Sequence, residues 1–341
     1  MQFKGAGLMF QTNLGLDYTW SLVLFGLLLA AFTAAGGYFA VAYLDTIQGI
    51  IMTLGMLIML PGGLHAVGGF SGLNAKLAAI NPGLVDWVGF MPKSLLIGLT
   101  VLYVVSFWGQ PHLAARFYTL RDKTAVRLSF PISQALTTFW MLSGCIIGLV
   151  ARVLWPNLKT GDLAMPVAIQ NLLGVAGIVV WLALLSAIFS TVDSLLLVVG
   201  TNVSHDIIKG YIWRGMSDRT ELIVSKLACF VICAIALVLA LNPAPLITIV
   251  HSISMGAFAI FLGIPLAIGV FWRRANAAGA AVAVTGGPII YLLWKLFLVK
   301  PTGLHEMVGS LLVTVPLLVL VTLATSPPAE REVQRFFASA D

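Results

Sequence analysis

Long apolar stretches, separated by short polar connections, recur along the whole chain. Each stretch approaches or exceeds the roughly 20 residues that a helix needs to cross a bilayer. A shorter apolar segment at 1–16 is about half a span and ends near polar Gln11 and Asn13. The pattern predicts an all-α polytopic membrane protein with nine full transmembrane helices and a partial one. The predicted spans are 20–41, 47–66, 94–111, 130–154, 167–200, 221–241, 246–271, 278–299 and 305–324.

Composition supports this assignment and excludes several classes of function. Of the 341 residues, 60% are hydrophobic and 9% are charged. Soluble domains carry roughly 25% charged residues, so this chain has too few charged residues to cover a water-facing surface. The net charge of +6 comes from short connections between apolar runs, so it does not indicate nucleic-acid binding. The expected surroundings are therefore a lipid bilayer. The oligomeric state is not predicted.

Lysine and arginine are distributed unequally between the two sides of the predicted membrane. One set of connections, which includes Lys123, Arg214 and Arg335, holds roughly twice as many as the other, which includes Lys93 and Lys295. The richer side is expected to be cytoplasmic. This places the tail 325–341 inside and the start of the first full span outside.

Two of the predicted spans contain residues that interrupt helices. Gly109-Gln110-Pro111-His112 ends one run, and 246–271 contains Ser252, Ser254, Gly256, Gly263 and Pro265. Packing glycines and tolerated kinks would explain either span taken alone. Breaks at membrane depth are also typical of helices that line a transport cavity. Two such spans in one chain favour the cavity interpretation.

The run 167–200 carries a cluster of polar residues. Ala187, Ser190, Thr191 and Ser194 are spaced i, i+3, i+4 and i+7, so they share one helix face. Small residues and hydroxyls also allow close helix packing, which is the alternative. Hard cations prefer oxygen ligands, which adjacent hydroxyls supply. Asp193 favours a functional role, because a carboxylate at membrane depth is costly without a cavity or a partner.

Asp45 has two interpretations of equal weight. It lies just before the predicted span 47–66, where a carboxylate can cap a helix N-terminus. It could equally belong to an ion pathway together with Asp193 and Ser194. The sequence leaves both open.

Four segments resemble signature stretches of the sodium:solute symporter family, and they occur in the family order. The branch they resemble is that of the proline and pantothenate permeases. The segments are 36–49 (GGYFAVAYLDTIQG), 109–112 (GQPH), 185–195 (LSAIFSTVDSL) continuing to 204–207 (SHDI), and 271–280 (FWRRANAAGA).

The resemblance implies a leucine-transporter-like fold of two inverted repeats in a single transmembrane transporter domain, 1–341. In that scheme 1–66 is the remainder of the first repeat and 94–271 is the second. Peripheral helices then occupy 278–324, and residues 325–341 form the cytoplasmic tail. The first two core helices and half of the third are missing from these residues, so we expect an N-terminally truncated version of the fold.

Site residues are also implied by the resemblance. Ala187 would give a backbone carbonyl to a sodium ion, and Ser190 and Thr191 their hydroxyls. Solute contacts would fall near Tyr103, Phe107 and Pro111, where the two aromatic residues differ in type from those of the proline branch. Sodium is the coupling ion, and no other metal and no cofactor is expected.

The resulting hypothesis is a sodium-coupled symporter of a small organic solute, working by alternating access in a bacterial-type cell membrane. Pantothenate, a monocarboxylate and an amino acid are candidate solutes. The alternative is a truncated family member, or a partner subunit, without transport activity of its own. An intramembrane enzyme is not expected, because paired aspartate, His-Glu-x-x-His and serine–histidine motifs are not seen in the sequence.

The charge distribution yields a testable topology. In a variant without the native cysteines, Lys123→Cys and Arg335→Cys should resist a membrane-impermeant thiol reagent in intact cells. Lys159→Cys, on the predicted outer side, should react under the same conditions. Labelling of residue 123 or 335 from outside would overturn the orientation.

Overall fold

The computed structural model describes residues 1–35, 38–86, 88–89, 91–117, 120, 122–242 and 246–337. Within these ranges the chain is helical and no strand occurs. In chain order the helices are α1 (Gln2–Leu14), α2 (Tyr18–Ala35), α3 (Tyr38–Val67), α4 (Gly69–Ile80), α5 (Lys93–Ser106), α6 (Pro111–Phe117), α7 (Lys123–Leu154), α8 (Ala164–Leu172), α9 (Gly177–Thr201), α10 (Asp218–Leu241), α11 (Ile247–Phe258), α12 (Ile264–Phe271), α13 (Ala277–Leu293), α14 (Val299–Thr302), α15 (Glu306–Ala324) and α16 (Glu330–Phe337).

Seven helical segments in the described ranges are long and apolar enough to cross a membrane. A bent pair, Gln2–Leu14 with Tyr18–Phe32, turns by 116° and adds an eighth if it counts as one span. The shorter apolar segment Lys93–Gly109 corresponds to the predicted run 94–111. The seven segments are Val41–Val67, Lys123–Leu154, Gly174–Ile212, Asp218–Leu241, Ile247–Phe271, Ala277–Thr302 and Glu306–Ala324.

The chain forms two compact units. Unit 1 comprises Met1–Val85 and Thr119–Ile247, and unit 2 comprises Asp86–Tyr118 and Thr248–Asp341. Both units therefore contain parts of the predicted second repeat, 94–271. Compact units and sequence repeats divide a chain in different ways, so the repeat boundaries stay a prediction.

In unit 1, two apolar clusters surround α9. The first joins α9 to α1, α2 and α10 through buried residues such as Phe25, Phe189 and Leu196. The second joins it to α3, α7 and α8 through Met59, Ile147 and other buried residues. Helix α9 is therefore covered on several sides by protein, which suits a helix that carries polar groups at membrane depth.

Unit 2 is built on close contacts between α13 and α15 and on the break between α11 and α12. A π-helical segment, Ala259–Gly263, interrupts the predicted span 246–271. Ile260 from this segment packs with Leu102, Tyr291 and Met307 in a buried cluster. Such π-helical insertions within a helix often occur at functional sites.

Two predicted boundaries are wrong. The sequence analysis separates spans 20–41 and 47–66 by a connection at 42–46, whereas α3 runs without interruption from Tyr38 to Val67. Asp45 therefore lies inside a helix and does not cap one. One of its carboxylate oxygens, Oδ2, accepts a hydrogen bond of 3.4 Å from Ser194 of α9. The predicted signature at 36–49 includes Gly36 and Gly37, which lie outside the described residues.

The run 167–200 is two helices instead of one span. Helix α8 ends at Leu172, and Gly174 with a φ of +51° precedes the start of α9. Glycine adopts this left-handed conformation without a steric penalty, so the regular helix can end here. Beyond α9 the helix continues as a π-helical segment, Asn202–Ile212.

The fold of unit 1 yields a test of helix packing. A Cβ atom at Gly55 of α3 would lie 2.2 Å from Ala183 Cβ of α9, so Gly55→Ala should force the helices apart. Overpacking of this kind costs about 1–3 kcal/mol, more than the gain in helix propensity. We expect a lower melting temperature in detergent solution.

Gly49→Ala is the matched control, on the same helix. A Cβ atom there would meet only Trp140 Cη2, at 4.0 Å, so this variant should melt at or above the wild-type temperature. Equal melting temperatures for the two variants would contradict the close approach of α3 and α9.

Candidate functional site

Helix α9 has an apolar face and a mixed face. Leu185, Ile188, Phe189, Val192 and Leu196 belong to the buried cluster with α1, α2 and α10. On the helical wheel the opposite side carries the four residues that the sequence analysis places on one face. This face, hereafter the hydroxyl face, consists of Ala187, Ser190, Thr191 and Ser194.

Helix α3 lies along the hydroxyl face, as two contacts show. At one end Ser194 Oγ donates a 3.4 Å hydrogen bond to Asp45 Oδ2. At the other end Gly55 allows α3 to approach Ala183 closely. The contacts are about 15 Å apart along α3 and about 16 Å apart along α9, from the helical rise per residue. The two helices are therefore antiparallel, and nearly equal lengths of α3 and α9 separate the two contacts.

Between these two contacts lie the predicted sodium ligands. Ser190 Oγ donates to the Ala187 carbonyl oxygen at 3.2 Å, and Thr191 Oγ1 donates to the same oxygen at 2.9 Å. Hydroxyls in helices often make this kind of bond to the preceding turn, so it is not by itself evidence of a ligand. It does bring all three predicted oxygens to one point on the hydroxyl face.

The three oxygens can contribute to a cation site but cannot complete one. Each hydroxyl donates its single proton to the carbonyl and keeps lone pairs that could face a cation. Hard cations such as calcium take about six to eight oxygens, so a shell of comparable size would need ligands from outside this helix turn.

Asp193 and Asp45 form an acidic pair beside the hydroxyl face. The Asp193 side chain is buried, with 5% of the residue exposed, and its Oδ1 accepts no hydrogen bond from the described residues. Asp193 directly precedes Ser194, whose hydroxyl is hydrogen-bonded to Asp45, so the two carboxylates lie in the same region of the α3–α9 contact. Two neighbouring carboxylates in an apolar setting attract cations, because a cation relieves their mutual repulsion.

The predicted solute residues lie in unit 2, at the interruption after α5. Phe107 begins a 3₁₀ turn, Gln110 is extended, and Pro111 opens α6. The Tyr103 ring lies 5.9 Å from the His251 ring of α11. Phe107 is exposed to 42%, so its ring is available for contact.

The break after α5 packs directly against the break between α11 and α12. A Cβ atom at Gly109 would lie 2.0 Å from the Phe258 carbonyl oxygen, and one at Gly263 would lie 2.9 Å from the Val105 carbonyl oxygen. The buried Gln110 also donates to Met255 Sδ at 3.5 Å. Each break is predicted from the sequence, but their contact is not.

An ion pair in unit 1 was also missed. Lys4 Nζ lies 2.6 Å from Asp162 Oδ2, and both side chains are at most 10% exposed. Asp162 Oδ2 also accepts a hydrogen bond of 3.1 Å from the Ile247 amide at the start of α11. Lys4 and Asp162 are 158 residues apart, so no local sequence signal reports this pairing.

Among the residues that the structure describes, no group of three or more histidine, cysteine, aspartate or glutamate side chains could hold a metal ion.

Comparison with known proteins identifies the family to which this chain is similar. A family model described as the sodium:solute symporter family matches residues 1–287. Sodium/pantothenate symporters of Haemophilus influenzae and Escherichia coli are each 30% identical to it, over 91% and 92% of this chain. The osmoregulated proline transporter OpuE of Bacillus subtilis is 26% identical over 97% of the chain. The chain spans 65%, 66% and 68% of the lengths of these relatives.

A solved structure supports the fold. It is described as the substrate-bound outward-open state of a Na⁺-coupled sialic acid symporter, and it matches with a TM-score of 0.69 and 21% identity. The match covers 96% of this chain and 71% of the other. It confirms the all-helical, leucine-transporter-like fold class predicted from the sequence.

Proposed function

The chain belongs to the sodium:solute symporter family, and we propose that it serves sodium-coupled transport of a small organic solute across a membrane. The family and the relatives are transporters, and the prediction that the chain is not an enzyme agrees with them. Sodium as the coupling ion follows from the family. The apolar helices support an integral membrane protein.

The observation that carries this proposal is the match of the family model to residues 1–287. The structure adds three oxygens that lie together on the hydroxyl face. Ser190 and Thr191 each donate to the Ala187 carbonyl, within 3.2 Å. We assign sodium binding to these three residues, because hydroxyl and carbonyl oxygens suit a hard cation. A broken neighbouring helix would supply the remaining oxygens, as in transporters built from interrupted helices.

Asp45, Asp193 and Ser194 are assigned to the path by which the cation reaches or leaves that site. Their support is the Ser194–Asp45 hydrogen bond and the buried carboxylate of Asp193 next to it. A cation that passes between the two carboxylates would be stabilised by both, and this offsets part of its dehydration cost.

Solute binding is assigned to Tyr103, Phe107 and Pro111. The support is their position at an interrupted helix, where backbone groups are freed from helical hydrogen bonding. Pantothenate, a monocarboxylate or an amino acid remain the candidate solutes. Pantothenate comes first among them, because the two relatives of highest identity named above are sodium/pantothenate symporters.

The cytoplasmic position of the tail 325–341 and a bacterial-type cell membrane also belong to this proposal. They rest on the distribution of Lys and Arg and on the bacterial relatives.

The direct test is uptake of labelled pantothenate, proline and a small monocarboxylate, in cells that express the complete gene product, with and without a sodium gradient. Replacing Ser190 and Thr191 by alanine removes two ligands. The sodium concentration for half-maximal uptake should then rise by about tenfold or more, at roughly 1 kcal/mol or more for each lost contact. Solute affinity at saturating sodium should change less.

Thr201→Ala is the matched control. Thr201 lies on the same helix and makes the same type of bond, 2.8 Å to the Leu197 carbonyl oxygen, away from the predicted ligands. It should leave the sodium dependence unchanged. Sodium dependence that is unaltered in the Ser190/Thr191 variant would overturn the assignment of the sodium site. Absence of sodium-driven uptake for all solutes would favour the alternative, a family member without transport of its own.

A further inference from the structure

Unit 2 contains a cavity of about 300 Å³ that is lined by none of the predicted solute residues. Much of its wall is apolar and includes Leu95 and Leu99 of α5, Ile249 of α11, and Val299. The polar side chains that line it are Lys295, His305 and Glu306, together with the hydroxyl-bearing Ser94, Thr248 and Ser252. An apolar cavity with a few converging polar groups is the usual form of a small-ligand site.

The polar groups form a neutral cluster with unused hydrogen-bonding capacity. Lys295 Nζ donates to Glu306 Oε1, which uses one of the three N–H groups of the ammonium. The other carboxylate oxygen, Glu306 Oε2, lies 3.8 Å from His305 Nε2, which is beyond hydrogen-bond distance, so this oxygen keeps lone pairs for a ligand. The pair can therefore receive an anionic group at Lys295 and a cationic group at Glu306 at the same time.

The cavity lies where several helices begin or end together. Helices α5 and α11 begin at Lys93 and Ile247, α14 ends at Thr302, and α15 begins at Glu306. Residues at the ends of membrane-spanning helices lie at the depth of the lipid headgroups. The cavity is therefore placed at the interface between hydrocarbon and water.

Apolar side chains beside the cluster are directed away from the protein. Leu296 and Phe297 follow Lys295 in the π-helical segment Trp294–Leu298 and are exposed to 69% and 66%. The polar cluster lies at the depth of the lipid headgroups, and exposed apolar side chains beside it are suited to contact acyl chains.

From these observations we infer that the cavity binds a dipolar headgroup, an anionic phosphate joined to a primary ammonium, as in phosphatidylethanolamine. The phosphate contacts Lys295 and the ammonium contacts Glu306. A ligand with one charge of each sign adds no net charge to a half-buried neutral pair, whereas a singly charged ligand would leave an uncompensated charge there.

This assignment sets an order of preference among headgroups. Phosphatidylethanolamine can donate N–H groups to Glu306 Oε2. Phosphatidylcholine has the same charges but a trimethylated nitrogen that cannot donate, so it should bind more weakly. Phosphatidylglycerol carries only the anionic charge and would compete with Glu306 for Lys295.

The test is native mass spectrometry of the full chain in neutral detergent without sodium. The protein is incubated with equimolar phosphatidylethanolamine, phosphatidylcholine and phosphatidylglycerol that have identical acyl chains. We expect retained phosphatidylethanolamine to exceed each of the others by about tenfold, as one charge-assisted hydrogen bond of roughly 1.5 kcal/mol implies. Free phosphoethanolamine, added at millimolar concentration, separates the headgroup from the acyl chains as the source of binding.

Two variants locate the bound lipid. The double variant Lys295→Gln with Glu306→Gln removes both charges together and leaves no buried charge unpaired. It should abolish the preference for phosphatidylethanolamine. Val299→Trp keeps both charges but fills the cavity, and it should lower retention of phosphatidylethanolamine. Lys300→Gln, an exposed position in the same segment, is the control and should retain the preference.

Displacement of phosphatidylethanolamine by phosphoethanolamine would support recognition of the headgroup. Binding of phosphoethanolamine alone, without retention of the lipid, would support the same dipolar site with a free solute as its source. Equal retention of the three lipids with no binding of phosphoethanolamine would overturn the inference. So would a preference that survives in both the charge-free and the cavity-filling variants. Because sodium is absent, these results are independent of the proposed sodium site.

Discussion

Polar groups at membrane depth must be compensated by protein, and in unit 1 the pairing of α3 with α9 provides part of that compensation. Asp45 would be costly inside an apolar helix, but Ser194 of the neighbouring helix donates to it. The pairing depends on small residues, because Gly55 and Ala183 allow the two backbones to approach. The same close packing that stabilises the helices thus holds the hydroxyl face beside a carboxylate.

Unit 2 follows a different physical principle. There the helices are interrupted, and their breaks meet at Gly109 and Gly263. Backbone groups released at such breaks need partners, and packing one break against another shields them from lipid. The proposed solute residues belong to this region, whereas the proposed sodium ligands belong to an uninterrupted helix in unit 1. Sodium binding is thus proposed for a regular helix, and solute binding for an interrupted one.

Sequence periodicity was sufficient to predict the helices and the shared face of Ala187, Ser190, Thr191 and Ser194. It was insufficient at Asp45, where a charged residue suggested a helix boundary. Whether a charge ends a helix or lies within it depends on its partner, and Ser194 is 149 residues away in the chain. The contact between the two breaks and the Lys4–Asp162 ion pair were missed for the same reason.

The most direct test of the sodium site is the sodium dependence of alkylation at residue 187. Ala187 contributes only its backbone carbonyl, so Ala187→Cys in a background without native cysteines preserves the proposed ligands. Ala267→Cys, at a half-buried alanine of α12, is the control. In membranes that contain the complete gene product, sodium should slow the reaction of residue 187 with a small thiol reagent, relative to choline, and leave residue 267 unaffected. Equal rates at residue 187 in sodium and in choline would contradict the assignment of the ion to the hydroxyl face.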